Sequence, residues 1–222
     1  MSELKGHLVL VVGPSGAGKD SVLRGAKAEF AADRRFVFPR RFVTRFAEVS
    51  AEDHLTMTDM EFAIAVSEDA FALWWKAHGN YYGIGTSIES DLQAGCVVAV
   101  NCSRAILEEA AVRFPSVIVV EITASPEVLV SRIVARGRET ETEAIQRVSR
   151  KVPEYPAGIP VARIDNNGAL QDAVDRFCDL LETLENTVAN PGGHTLDNQN
   201  QQEDGDNDRR GLVIVEHLER NL

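Results

Sequence analysis

The chain has 222 residues, 44% of them hydrophobic, with a formal net charge of −11 and three cysteines. This length suits one α/β domain with a full core, and the acidic balance argues against a general nucleic-acid binder, which needs a basic face. The cysteines Cys96, Cys102 and Cys178 show no metal-ligand spacing, and Cys96 and Cys102 flank an apolar run, which favours buried thiols there and suits a reducing compartment.

The amino terminus carries a single short apolar run that ends in Gly13 and Pro14. It is too short to span a membrane and lacks a signal-peptide cleavage pattern. We therefore expect a cytoplasmic protein with no membrane or nucleic-acid partner, and the sequence gives no indication of its oligomeric state.

The first half of the chain predicts a buried strand, a helix and a less regular stretch. Leu8–Val12 is the strand, and the helix runs from Lys19 to Phe30. In the stretch from residue 40 to residue 85, Thr58 and Glu61 form a capping-box pattern that predicts a short helix. Two short strands are predicted after it, at Phe71–Lys76 and Tyr81–Ile84.

The second half alternates strands and helices regularly. Ser125 followed by Pro126 predicts a helix start, and Thr140 with Glu143 predicts another, whose helix reaches about Lys151. Strands joined by helices imply a parallel sheet with helices on both faces. The other predicted elements are the helices Ser87–Ala94, Arg104–Arg113 and Gly168–Leu184, and the strands Val97–Asn101, Val117–Ile122 and Val161–Asp165.

The composition changes after about residue 185. Residues 186–210 are rich in Asn, Gln, Asp and Gly, which predicts a disordered tail beyond a domain of residues 6–185. Residues 211–222 regain apolar side chains. This last segment docks on the domain, docks on a partner, or is an incidental extension, and the sequence does not choose among these.

A glycine-rich loop between the first strand and the first helix is the most informative segment. It has the Walker A pattern of a P-loop, in which backbone N–H groups and a helix N-terminus surround phosphate oxygens and a lysine reaches the β- and γ-phosphates. We therefore predict a triphosphate site for ATP here. The residues of the loop are Gly13, Pro14, Ser15, Gly16, Ala17, Gly18, Lys19, Asp20 and Ser21.

One position of this loop departs from the usual pattern. Asp20 stands where Ser or Thr normally binds Mg²⁺, with Ser21 next, and Asn101 ends a strand where an aspartate is expected. A carboxylate is a suitable oxygen ligand for Mg²⁺. Our hypothesis is that the metal-facing charge has moved from the strand to the loop, so that Asp20 and Ser21 hold Mg²⁺.

Further motifs resemble guanylate kinase over about residues 6–185. The segment from Gly79 to Gly83 is similar to that family's acceptor-phosphate motif, Thr44-Arg45 to its first arginine segment, and His54 falls where a phosphate-binding tyrosine usually lies. The resemblance implies a guanylate-kinase-like P-loop fold with small acceptor-binding and lid segments. It also implies a catalytic role beside Lys19 and Asp20 for the lid arginines Arg132, Arg136 and Arg147.

Three differences from that family argue against GMP as the acceptor. Glu48 stands in place of a second arginine, Leu73 in place of the glutamate that reads guanine, and Asn101 in place of the strand-end aspartate. A leucine cannot accept hydrogen bonds from guanine, and each unpaired polar group in a buried site costs about 1–3 kcal/mol. The sequence thus retains phosphate recognition and loses base recognition.

This combination resembles the ribose 1,5-bisphosphate phosphokinases of phosphonate degradation. The matching segments include residues 18–21, 41–45, 52–54 and 81–83, Trp75, and residues 100–101 followed by Ser103-Arg104. The resemblance implies ATP- and Mg²⁺-dependent phosphorylation of ribose 1,5-bisphosphate to 5-phosphoribosyl 1-diphosphate (PRPP). The acceptor-binding residues it implies are Arg41, Arg45, His54, Tyr81 and Tyr82.

Three alternatives remain open at this point. They are a guanylate kinase or other nucleoside-monophosphate kinase, a non-catalytic guanylate-kinase-like interaction module, and a small-molecule kinase of the gluconate or shikimate type. The intact loop from Gly13 to Lys19 weighs against the interaction module, and the segment from Tyr81 to Gly83 weighs against the small-molecule kinase.

Overall fold

A central strand, β1 (His7–Val12), organises the main sheet of the computed structural model, which describes residues 5–45, 54–137, 140–149 and 154–189 and the backbone of 212–214. All six residues of β1 are buried, because parallel neighbours flank the strand and helices cover both faces of the sheet. The other strands of this sheet are β2 (Phe36–Val37), β7 (Val97–Asn101), β8 (Val117–Thr123), β9 (Val161–Asp165) and β10 (Leu212–Ile214).

The order of the main sheet is β10-β9-β8-β1-β7-β2. The pairs of β1 with β7 and β8, of β2 with β7 and of β8 with β9 are parallel, and β10 adds an antiparallel edge to β9. The chain leaves β1 between two parallel neighbours that follow much later in sequence. In open α/β sheets, such a switch point at the carboxyl ends of the strands is where ligands bind.

A second, four-stranded sheet was only partly predicted by the sequence. It has the order β4-β3-β6-β5, with an antiparallel hairpin between its last two strands. His78 and Gly79 connect that hairpin with φ angles of 51° and 80°, the two positive values that a tight hairpin turn needs. Its strands are β3 (Arg41–Val43), β4 (His54–Thr56), β5 (Phe71–Ala77) and β6 (Asn80–Gly85).

Helices cover both faces of the main sheet, as predicted. On one face α1 and α7 pack over Val9, Val11 and Val120; on the other α3 and α4 pack over Leu8 and Leu10. The helices are α1 (Lys19–Glu29), α2 (Asp59–Ser67), α3 (Ser87–Gln93), α4 (Leu107–Arg113), α5 (Pro126–Ala135), α6 (Glu141–Val148) and α7 (Leu170–Ala189).

The predicted helix starts agree with the structure. Ser125 Oγ accepts from Val128 N at the start of α5, and both capping boxes, Thr58 with Glu61 and Thr140 with Glu143, are formed. The predicted helix from Arg104 is divided: a 3₁₀ turn covers Arg104–Ile106 and the α-helix follows it.

In the carboxyl-terminal part, one helix is longer than predicted, and three residues of the last segment pair with the domain, one of the alternatives that the sequence left open. Helix α7 continues past residue 185 to Ala189, and the backbone of Leu212–Ile214 pairs with β9. Residues 190–211 and 215–222 lie outside the described part of the chain, so the predicted disorder stays a prediction. Within the described residues, no helix has the length and apolar character needed to cross a membrane.

The three cysteines have no disulfide partner. Cys102 and Cys178 are buried, and burial raises the pKa of the Cys102 thiol to about 12. A thiol with so high a pKa stays protonated and packs as a small hydrophobe, as the sequence predicted for Cys102. Cys96, for which the same was predicted, is only partly buried.

Candidate active site

The loop from Gly13 to Ser21 lies at the carboxyl end of β1, and two of its glycines are required by their surroundings. Gly13 has φ 145°, and a Cβ there would lie 2.2 Å from the carbonyl oxygen of Ile122. Gly18 has φ 92° and forms the N-cap of α1. A Cβ at Gly18 would lie 2.4 Å from Asn166 Nδ2. Only glycine lets the backbone turn here and expose its N–H groups.

Lys19 folds back onto the loop that it follows. Its ammonium group donates to the carbonyl oxygens of Gly13 at 2.8 Å and Pro14 at 3.0 Å. Burial lowers the pKa of Lys19 to about 8; the Asp20 carboxylate opposes this shift, and the charges of Arg41, Arg104 and Arg136 add to it. The lysine is therefore charged at neutral pH but poorly compensated, which suits a group that receives an anion.

Asp20 and Asn101 are in direct contact. Asn101 Nδ2 donates to Asp20 Oδ1 at 2.7 Å, and Arg41 Nη2 lies 3.4 Å from the same oxygen. Asn101 is 7% exposed, whereas the Asp20 side chain keeps 42% of its surface open to the cleft. The strand end and the loop position singled out in the sequence are thus neighbours in space.

No cluster of three or more His, Cys, Asp or Glu side chains that could hold a metal occurs among the described residues. In nucleotide sites Mg²⁺ keeps several waters and is held by one or two protein oxygens together with phosphates. Asp20 and Ser21 both line the cleft at the loop and supply oxygens of this kind.

An open cleft of about 790 Å³ joins the loop, the lid helices and the second sheet. It lies beyond the carboxyl ends of β1 and β7, where the fold predicts a ligand. The predicted residues that it brings together include Lys19, Asp20, Arg45, Tyr82, Arg136 and Arg147.

The lid arginines divide into two groups. Arg136 and Arg147, at the ends of α5 and α6, line the cleft. Arg132 lies beside the loop, with Nη1 3.5 Å from the carbonyl oxygen of Gly16. The structure therefore places two of the three predicted lid arginines at the cleft and the third against the loop backbone.

The wall of the cleft that the second sheet forms is built on stacked rings. Tyr82 lies parallel to Trp75 at 5.4 Å, and the Arg41 guanidinium lies 5.8 Å from the centre of the Tyr82 ring. Trp75 is 6% exposed and Trp74 is 41% exposed, so Trp75 walls the pocket and Trp74 faces away from it. Aromatic packing fixes the Tyr82 hydroxyl and Arg41 on one wall.

Tyr81 requires a correction of the sequence-based assignment. Its ring packs 5.4 Å from Phe62, and the Lys76 ammonium lies 4.9 Å from its centre. Successive residues of a strand point to opposite faces, so Tyr81 and Tyr82 cannot both face the cleft. The structure brings Tyr82 to the cleft and turns Tyr81 away from it.

His54 lies next to Arg41 without lining the cleft. The two residues are paired across β3 and β4, so their side chains leave the same face of the sheet. His54 Nδ1 is buried and has no hydrogen-bond partner among the described residues. Glu48, the other sequence-predicted difference in this region, lies outside them.

The position assigned to guanine recognition is filled by core side chains. Leu73 and Ile84 are fully buried, in one cluster with Trp75 and Ile88. Leu73 therefore does more than lack a hydrogen-bonding group: it belongs to the apolar layer beneath the cleft.

No protein-family model matches the chain. The chain is 44% identical over 179 residues to a ribose 1,5-bisphosphate phosphokinase PhnN from Burkholderia mallei, covering 80% of this chain and 96% of that protein. A ribose 1,5-bisphosphate phosphokinase PhnN from Thiobacillus denitrificans is 42% identical over 182 residues, with 82% and 94% covered. The chain belongs to the ribose 1,5-bisphosphate phosphokinase family. It is a kinase with a guanylate-kinase-like P-loop fold.

A solved structure supports this fold. Guanylate kinase from Anaplasma phagocytophilum aligns with a TM-score of 0.56 at 18% identity, covering 82% of this chain and 87% of that one. The likeness concerns the fold, since 18% identity carries no argument about the acceptor. In this phosphokinase the second sheet and the lid helices stand around the cleft that the P-loop opens.

Two residues that contact the site were not assigned a role from the sequence of this phosphokinase. Asn166, 2% exposed, donates from Nδ2 to the carbonyl oxygen of Ala17 at 2.7 Å and so supports the loop. Arg104 lines the cleft beside Ser103 and follows β7; the sequence matched this pair to the family without giving Arg104 a role.

Proposed function

We propose that this protein transfers the γ-phosphoryl group of ATP to the 1-phosphate of ribose 1,5-bisphosphate, forming PRPP in phosphonate degradation. The observation that carries the proposal is the single cleft that joins an intact P-loop to Arg45 and Tyr82. Below that cleft, buried Leu73 and Ile84 occupy the place where a base would be read. Phosphate groups find partners there, and a purine does not.

On the donor side, the P-loop amides and Lys19 bind the β- and γ-phosphates of ATP. When the triphosphate enters, its oxygens replace the carbonyls of Gly13 and Pro14 around the Lys19 ammonium. Arg136 and Arg147 face the same space and neutralise the transferring group, which is where most catalysis of phosphoryl transfer arises. Arg132 steadies the loop through Gly16 and joins the lid when it closes over ATP.

Asp20 and Ser21 are proposed to hold Mg²⁺ with the phosphates of ATP. The Asp20 carboxylate fits this role, because Oδ1 accepts from Asn101 and Arg41 while the side chain stays partly open to the cleft. When bound, the ion would neutralise charge that develops between the β- and γ-phosphates. Asn101 then acts by orienting the carboxylate.

On the acceptor side, the reacting phosphate needs no general base, because it is already ionised at neutral pH. Positioning in line with the γ-phosphoryl group is the remaining requirement. Arg45 and Tyr82 would hold this phosphate, with Arg41 beside them on the Tyr82 ring. His54 is proposed to complete this side, since its buried Nδ1 lacks a described partner next to Arg41.

The decisive experiment is a coupled assay for PRPP with ATP and ribose 1,5-bisphosphate, with GMP as the control acceptor. We expect turnover on the sugar bisphosphate and at most trace turnover on GMP. Preferred turnover on GMP would make the protein a guanylate kinase. Failure to bind Mg·ATP in a calorimetric titration would favour the non-catalytic interaction module, and a Lys19→Ala variant as active as its parent would refute the P-loop assignment.

A further inference from the structure

Arg104 is a cation at the cleft that the proposed mechanism leaves without a task. It opens the 3₁₀ turn after β7, two residues beyond Cys102. Its Nη2 donates to Glu121 Oε1 at 2.6 Å and its Nε to the Tyr155 hydroxyl at 3.2 Å. Its guanidinium also lies 5.6 Å from the centre of the Tyr155 ring. Three contacts therefore fix this side chain before any ligand arrives.

In the cluster of Arg104, Arg163 and Glu121, two guanidinium groups share one carboxylate; Glu108 and Glu154 line the cleft as well. The second carboxylate oxygen of Glu121 accepts from Arg163 Nε at 2.9 Å, so one carboxylate serves two guanidinium groups. The Arg104 side chain is only 17% exposed, whereas Arg163 is 47% exposed and lies outside the cleft. A half-buried cation that is only partly neutralised gains most from an anionic ligand.

The position of Arg104 relative to the other cations is informative. Arg104 is near enough to Lys19 that its charge, after burial and after Arg41, contributes to the low pKa of that lysine. However, it lies on the turn between β7 and α4, whereas Arg41 lies on β3 of the second sheet and Arg45 follows that strand. The cleft thus has cations from the carboxyl end of the main sheet as well as from the region of the second sheet.

We propose that Arg104 binds the phosphate of the acceptor that does not react, the 5-phosphate of ribose 1,5-bisphosphate. This inference rests on the proposed function. A pentose bisphosphate carries its two phosphates on opposite sides of the sugar ring, so one cluster of cations cannot hold both. With ATP on Lys19, Arg136 and Arg147 and the reacting phosphate on Arg45 and Tyr82, the second phosphate meets Arg104.

The test measures binding of two half-ligands by isothermal titration calorimetry. Ribose 5-phosphate carries only the phosphate assigned to Arg104, and ribose 1-phosphate carries only the reacting one. We expect Arg104→Gln to weaken ribose 5-phosphate at least about tenfold, the size of a lost charge-assisted contact, and to leave ribose 1-phosphate within about twofold. Equal losses for both ligands, or none, would overturn the proposal.

Arg163→Gln is the matched control. It removes the same charge from the same carboxylate but lies outside the cleft, so it should leave both affinities within about twofold. A loss for ribose 5-phosphate equal to that of Arg104→Gln would assign the effect to the cluster's overall charge and refute direct binding. If Arg104→Gln does not fold, Arg104→Lys keeps the charge, and we expect it to show a smaller loss for ribose 5-phosphate alone.

A third variant tests another location for the second phosphate. A small cavity of about 90 Å³ beside Asp20 is lined by Arg24 and Lys27 of α1. If Arg24→Gln, and not Arg104→Gln, weakens ribose 5-phosphate, the second phosphate binds there and the proposal is wrong. Since these titrations need no turnover, a protein that makes no PRPP but shows Arg104-dependent binding would refute the proposed reaction and retain the phosphate site.

Discussion

At the scale of single residues, Asp20 puts a carboxylate on the loop, where a hydroxyl is expected, and Asn101 puts an amide at the strand end, where a carboxylate is expected. Their 2.7 Å contact leads to a prediction about both positions. Asp20→Ser should lower kcat by about a hundredfold, because a metal-facing carboxylate is lost. Adding Asn101→Asp should restore part of it, since the double variant returns the charge to the strand. Turnover measured across a Mg²⁺ titration checks this, and near-normal activity of Asp20→Ser would reject the hypothesis.

Asn101→Asp alone serves as the control for that pair. It places two carboxylates in contact, and like charges that close cannot both ionise freely. We expect turnover below that of the parent at neutral pH. If the single variant matches the parent, the amide at position 101 has no orienting role for Asp20.

Lys19 should make ATP binding depend on pH. Its pKa of about 8 in the free protein means that the ammonium is charged below pH 8 and loses its proton above it. Binding of a triphosphate favours the charged form, so Mg·ATP affinity should fall by up to about tenfold per pH unit above pH 8. Calorimetric titrations at pH 7, 8 and 9 measure this change in Mg·ATP affinity. Lys19→Met should bind weakly with no such fall, and a parallel fall in that variant would assign the effect to another group.

Tyr81 and Tyr82 form a natural pair for testing the acceptor wall. Tyr82→Phe removes a hydroxyl at the cleft and should raise KM for ribose 1,5-bisphosphate about fivefold to tenfold, the value of one hydrogen bond. Tyr81→Phe makes the same chemical change on the other face of β6 and should stay within about twofold. A larger rise in KM for Tyr81→Phe than for Tyr82→Phe would restore Tyr81 as the acceptor-binding tyrosine.

At the scale of elements, His7 ties α7 to β1. Its Nε2 contacts Thr187 Oγ1 at 2.8 Å and its Nδ1 contacts Ser116 Oγ at 2.5 Å. Burial lowers the pKa of His7 below its usual 6.5, although a contact with the Leu184 backbone opposes this. Below pH 6.5 the unfolded chain therefore binds a proton that the folded one excludes, and stability falls as pH falls through this window.

We expect His7→Gln to make the free energy of unfolding depend less on pH. Between pH 7.5 and pH 5 the free energy of unfolding of the parent should fall more steeply than that of the variant. Denaturant unfolding at several pH values gives both slopes. Identical slopes would mean that His7 keeps its proton equilibrium on folding.

Elements with a long hydrophobic pattern or a strong capping motif could be predicted from the sequence. Strands β7 and β9 were predicted with their observed bounds, and the helix starts at Thr58, Ser125 and Thr140 carry their caps in the sequence itself. The strands β2, β3 and β4 have only two or three residues each, too few to show an alternation. They exist because partners from distant parts of the chain supply their hydrogen bonds.

The candidate site likewise has a part that the sequence predicts and a part that only the fold reveals. The phosphate-binding loop is one continuous segment, so its glycines and Lys19 could be predicted together. Which tyrosine faces the cleft depends on the register of β6 against β5, and a motif of two adjacent tyrosines contains no such information. The Arg104 cluster joins β8 and β9 to the end of β7, and only the order of the strands reveals it.

At the scale of the whole molecule, every described site residue precedes the end of α7. A chain ending at Ala189 loses the three-residue pairing of β10 with β9 and the segment before and after it. We expect kcat/KM for ribose 1,5-bisphosphate to stay within about twofold and Tm to fall by a few degrees, because a short edge strand contributes only a few hydrogen bonds. Activity lost from a folded variant would give the tail a role in the reaction.

The buried pair Leu73 and Ile84 has a consequence for the cell. Since the described acceptor wall offers no opening at these side chains, guanylate and adenylate gain nothing there beyond what any phosphate gains. Purine nucleoside monophosphates would then act neither as alternative acceptors nor as inhibitors at the acceptor site. The rate of the acceptor step would therefore not depend on the concentrations of guanylate and adenylate.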